Sequence, residues 1–90
     1  MKTILVQFRN YNKVTYCYKT KDETIKVGDI LKSKDYENSF VVKSIINKEY
    51  SYVNTNTGEL TDSPTSVYCV PIKTLVLRQD DEDTVYAYKL

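Results

Sequence analysis

Nine tyrosines, with no histidine and no tryptophan, limit the chemistry open to this 90-residue chain. A phenol ring can stack on a nucleobase or bury against a partner while its hydroxyl stays wet. The i, i+2 spacing puts Tyr16 with Tyr18, Tyr50 with Tyr52, and Tyr86 with Tyr88 on shared strand faces. Such pairs could form platforms for a single nucleic-acid strand, each stacked base worth about 1–3 kcal/mol. Tyr16 and Tyr18 are the candidate platform, and Lys32, Lys34, Lys43 and Lys48 the candidate phosphate contacts. The same ring type is enriched at protein interfaces. On that reading Tyr36, in a polar loop, and the Tyr50/Tyr52 pair are the anchors.

Catalysis finds little support. Without histidine the commonest general base and the common triads are missing. Ser63 and Ser66 flank Pro64 with no base in view, and Gly28 and Gly58 stand too far apart for a phosphate loop. Asp80-Asp81-Glu82-Asp83 carries enough charge for a divalent cation, but its spacing fits no EF-hand, and a solvated turn explains it as well. Two cysteines alone cannot complete the usual four-ligand zinc site. Cys17 and Cys69 sit in apolar runs as small hydrophobes, and spacing alone does not say whether they pair. No cofactor is implied, and the expectation is a non-enzymatic chain.

Charge separates along the sequence. Residues 1–50 carry ten Lys/Arg against six Asp/Glu, for +4; residues 51–90 carry three against six, for −3. The net of +1 gives no global basic field for nucleic acid. Apolar residues at 41% and charged residues at 28% suit a folded globular domain rather than a disordered one. The apolar run of Met1–Arg9 is too short for a signal peptide, and no stretch nears the roughly 20 apolar residues of a membrane span. A cytoplasmic protein with no membrane partner is expected.

The elements that must hold these side chains are short strands. Ile4, Val6 and Phe8 alternate in a first strand; Asn10–Lys13 reads as a turn; Val14, Tyr16 and Tyr18 line a second. Gly28-Asp29 interrupts an apolar run and predicts a corner with positive φ, where a β-branched residue should cost several kcal/mol. Phe40–Ile46 reads as a buried central strand with Val42 and Ile45 on opposite faces. Tyr50–Val53 and Glu59–Thr61 flank a hairpin turn with Gly58 in the left-handed position. Pro64 and Pro71 confine Val67–Val70 to an edge. Ile72–Arg78 and Val85–Tyr88 complete seven or eight strands around the acidic loop. Residues 1–90 are thus expected to form one all-β domain, a small SH3-like or OB-like barrel with a C-terminal β extension.

Over residues 4–46 the order Tyr-x-Tyr, loop, Val27-Gly28-Asp29, apolar strand and Val41-Val42-x-x-Ile45 resembles small β-barrel accessory proteins of bacteriophages. It also resembles the N-terminal DNA-binding barrel of the primosomal replication-restart helicase. In that barrel an acidic residue between two aromatics helps recognise a DNA 3′ end. The matching position here is Cys17, whose thiol lacks a carboxylate's acceptors. The helicase resemblance therefore implies the barrel and not the end recognition. The phage resemblance implies an accessory protein that binds a host or defence protein. Binding of single-stranded nucleic acid, self-association and a place in a virion or larger assembly are the alternatives.

Overall fold

The computed structural model describes residues 1–34, 36–77 and 84–90, and of residues 12 and 84–86 the backbone alone. Nine strands follow in chain order: β1 (Lys2–Phe8), β2 (Tyr11–Thr20), β3 (Ile30–Ser33), β4 (Phe40–Ile46), β5 (Tyr52–Asn54), β6 (Leu60–Thr61), β7 (Cys69–Pro71), β8 (Lys73–Val76) and β9 (Thr84–Lys89). None of the described residues is helical. Six strands close into a barrel in the order β1-β2-β8-β9-β3-β4, and a small sheet of order β6-β5-β7 stands beside it. Strand β8 runs parallel to both β2 and β9; the other barrel pairs are antiparallel.

Alternation decides what enters the core. Ile4 and Val6 of β1, Leu31 of β3, Phe40 and Val42 of β4 and Leu75 of β8 are fully buried, joined by Tyr18, Ile25 and Ala87. The expected turn at Asn10–Lys13 is shorter, because Arg9-Asn10 alone reverses the chain and β2 starts at Tyr11. Beyond it the hairpin is irregular. Val6 pairs with Tyr16 and Phe8 with Tyr11, so Asn12, Lys13, Val14 and Thr15 all stand against the single residue Gln7. Surplus residues of this kind cannot lie flat in a ladder and push the strand outward.

The corner at Gly28 forms as expected. Its φ is +94°, its amide donates to the Val42 carbonyl at 2.8 Å, and the Val42 amide donates to the Asp29 carbonyl at 2.9 Å. The Asp29 carboxylate accepts from the Lys26 amide at 2.8 Å and pairs with Lys89 at 3.0 Å, which holds its carboxyl below the usual range. A Cβ at Gly28 would meet nothing within 4 Å. Substitution there carries the backbone strain of a positive φ, which is most severe for a β-branched residue, and no steric clash beside it. Gly58, at φ +79°, closes the β5–β6 hairpin by donating its amide to the Asn54 carbonyl at 2.7 Å.

One expectation about β4 is corrected. Val42 and Ile45 do not face opposite sides. Val6 pairs with Val42 and Leu5 with Ser44, so Lys43 is an extra residue and forms a bulge. The bulge resets the alternation. Ile45 pairs with Ile4 and packs against the same core as Phe40 and Val42, while Lys43 is exposed. Truncation by Ile45→Ala should therefore cost about 1–3 kcal/mol, because it removes three carbons from a partly buried side chain packed on the core. Ser44→Ala, on the opposite face, should stay within about 0.5 kcal/mol. Urea unfolding of the two variants reads this directly, and equal losses would contradict the bulge.

Candidate functional site

Strand β2 is the place to start, because its two edges are used unequally. One edge pairs with β1 at Tyr11 and from Tyr16 to Thr20. The other pairs with β8 only at Tyr18↔Lys73 and Lys19↔Thr74. Among the described residues, Val14, Thr15, Tyr16 and Cys17 have no ladder partner on that second edge. A parallel continuation would put Cys69–Ile72 beside them. Instead β7 is drawn off by β5, with Tyr52↔Pro71, Val53↔Val70 and Asn54↔Cys69 in register. The Ile72 amide follows it, donating to the Ser51 carbonyl at 2.9 Å.

The split leaves a wedge-shaped cleft of about 430 Å³ between the β2 edge and the small sheet. Residues 14–18 line it from both faces of β2, as a cleft running along a strand edge requires. Val53, Val70 and Ile72 line the opposite wall, and Tyr36 closes the floor with Tyr18. Val14 is 39% exposed, Tyr16 41% and Val70 41%, so the cleft mouth is apolar and open. Lys73, where the two walls meet, is the one formally charged residue in the lining among the described residues. No salt bridge occupies it among the described residues.

Two sets of contacts fix the walls. Behind β2, Phe8 holds Tyr16, Tyr36 and Phe40 edge-on at centroid distances of 5.3, 5.4 and 5.7 Å. The Tyr18 ring stacks on Phe40, and the Tyr18 and Tyr36 hydroxyls lie 3.4 Å apart. Such ring pairs contribute about 0.5–1.5 kcal/mol each beyond the area they bury. On the other side the buried Thr3 hydroxyl donates to the Lys48 carbonyl at 2.7 Å and accepts from the Tyr50 amide at 3.1 Å. That clamp fixes the segment leading to Ser51, and Ser51 in turn holds Ile72 and the β6 residue Thr61.

The sequence-stated candidates separate in space. Tyr16 and Tyr36 come together at the cleft. Tyr18 is only 5% exposed and is a core ring, so it offers no face to a base. The reason is barrel closure: Tyr18 sits where β2 meets β8 and its inward position is covered. Tyr50 and Tyr52 are half-buried and lie outside the cleft, with Lys48 4.5 Å above the Tyr50 ring and 3.2 Å from Asp62. Lys32 turns its ammonium onto the carbonyls of Ser33 and Tyr36, where it closes the loop after β3. Lys34 and Lys43 are exposed, but neither lines the cleft that holds Tyr16. The acidic run Asp80–Asp83 lies outside the described residues.

Neither cysteine forms a disulfide. Burial pushes the Cys17 thiol up, so it is not an activated nucleophile. Hydrogen bonds from Thr65 and then Ser66 draw the Cys69 thiol below its ordinary value, and Cys69 stands outside the cleft. Among the described residues no cluster of three metal-ligating side chains occurs.

Val14, Val53, Val70 and Lys73 were not anticipated as site residues. Only the apolar run confined by Pro64 and Pro71 pointed toward Val70. Comparison with family models, curated proteins and solved structures finds no match.

The Thr3 clamp gives a test of how the small sheet is held. Thr3→Val keeps the shape but takes the buried hydroxyl from the part-buried Lys48 carbonyl and Tyr50 amide, and should cost about 1 kcal/mol. Thr55→Val removes an exposed hydroxyl that donates to the Tyr68 carbonyl and should change stability by less than about 0.5 kcal/mol. Thermal unfolding of both variants checks this; a neutral Thr3→Val would contradict the clamp.

Proposed function

We propose that this chain is a non-enzymatic binding protein whose partner is another protein, held at the cleft between the β2 edge and the small sheet. The observation that carries this reading is the coincidence of an unpaired strand edge with an apolar, open wall at Val14, Tyr16 and Val70. Open strand edges are usually blunted by charge, proline or covering loops, because they recruit other strands. Here proline stands only on the facing β7, and the β2 edge itself carries Val and Tyr.

The chemistry of the cleft favours docking over catalysis. Among the described residues its lining has no carboxylate to move a proton, the chain has no imidazole, and burial raises the pKa of the half-buried Cys17 thiol, which favours its neutral form. Nucleic acid is less well served, since Lys34 and Lys43 stand apart from Tyr16 and Tyr18 has no free face. The resemblance of residues 4–46 to bacteriophage barrels supports an accessory protein acting in a bacterial cytoplasm on a host or defence protein. Partner identity in that sense rests on resemblance alone.

The test is capture from a bacterial lysate by the tagged full chain, with and without nuclease, beside the Val70→Asp variant. A partner band that survives nuclease and is lost in Val70→Asp, with the melting curve unchanged, is expected. Nuclease-sensitive capture, or capture indifferent to Val70→Asp, would contradict a protein-docking cleft.

A further inference from the structure

The cleft has a direction, and its geometry restricts what can lie in it. Strand β8 begins at Lys73 and occupies the line beside β2 from Tyr18 onward. An extended segment added beside Val14–Cys17 would occupy the same line one step earlier. About four residues of it, or roughly 13 Å, fit before it meets the backbone of Lys73. At that end it cannot continue along β2, because β8 already fills the place.

Which end of the segment arrives there is decided by charge. A segment antiparallel to β2 would bring its N-terminus, or an upstream peptide unit, against the Lys73 ammonium. A segment parallel to β2 would bring its C-terminus. Among the described residues Lys73 is exposed, lines the cleft and has no carboxylate partner, and no acidic side chain of those residues shares the lining. A terminal ammonium would be repelled there and a terminal carboxylate attracted. The two walls also differ in what they offer. β2 presents unpaired backbone groups, whereas the opposite wall contributes Val53, Val70 and Pro71, and proline donates no amide hydrogen. Main-chain pairing on one side and apolar side-chain pockets on the other is the division of labour in strand addition.

We propose that the cleft takes the free C-terminus of an extended apolar segment of its partner, laid parallel to β2 with its carboxylate at Lys73. This rests on the protein-docking reading above and specifies its ligand. Val14 and Val70 supply contact for alternate apolar side chains, and the Tyr16 ring borders the mouth. Those amides and carbonyls of residues 14–17 that face the cleft supply the ladder.

The experiment uses the full chain and two pools of short fluorescent synthetic peptides, with Val, Ile or Tyr at alternate positions. One pool ends in a free carboxylate, the other in an amide. Fluorescence anisotropy should show saturable binding of the acid pool, weakened about fivefold by amidation, as an exposed ion pair allows. Lys73→Gln should erase that difference without altering the melting curve. Methylating alternate backbone nitrogens of the peptide should weaken binding, which simple greasy contact would not require. Equal binding of the two pools overturns the carboxylate assignment. If neither pool binds while Val70-dependent capture from lysate persists, the terminal-segment proposal falls and the docking reading stands. If both fail, both fall.

Discussion

Everything distinctive in this molecule follows from the few residues between Val70 and Lys73, which must serve two sheets at once. Val70 and Pro71 pair with β5 in the small sheet, and Lys73 pairs with Tyr18 in the barrel. Ile72 makes the transition, with its side chain buried and its amide given to Ser51 rather than to a barrel strand. A strand cannot satisfy two neighbours in diverging planes, so β8 reaches β2 late and closes the barrel over only Tyr18 and Lys19. The cleft is the space this leaves.

A seam that short needs support from elsewhere. Phe8, Phe40, Tyr16, Tyr18 and Tyr36 form a contiguous set of rings behind it, and the Lys43 bulge turns Ile45 into the same core. The Gly28 corner carries the chain from Ile25 in the core to β3, and the Asp29 carboxylate ties that corner to Lys89 of β9. On the far side, Thr3 pins the small sheet at its root. These contacts leave Tyr16 and Cys17 fixed to β1 on one side and without a ladder partner on the other. That combination preorganises an edge for a partner strand, and preorganisation lowers the ordering cost of binding.

Much of the fold is legible in the residues. Alternation in Ile4-Val6-Phe8, the break at Gly28-Asp29 and the Asn54–Gly58 turn each specify a local structure through sterics alone, and each forms. Long-range arrangement is less legible. The bulge at Lys43 leaves no local mark, because a surplus residue shows only against its partner strand. For the same reason the parallel pairing of β8, and with it the cleft, cannot be read from the run Ile72–Leu77. Tyr16 and Tyr18 look equivalent by spacing, yet one rims the cleft and the other lies in the core, because only the second sits under the seam. Val70 and Lys73 acquire meaning from the splitting of the sheets, which no single segment encodes.

The most direct measurement is residue-resolved hydrogen exchange of the free protein along β2. The account predicts fast exchange at Val14 and Thr15, which have no register partner on β1, and a split between Tyr16 and Cys17, the amide aimed at β1 protected and the one aimed at the cleft exchanging nearly as fast as open chain, whereas protection is continuous at Tyr18 and Lys19. Uniform protection from Val14 through Lys19 would mean that this edge is already paired, and that the cleft is not an open site.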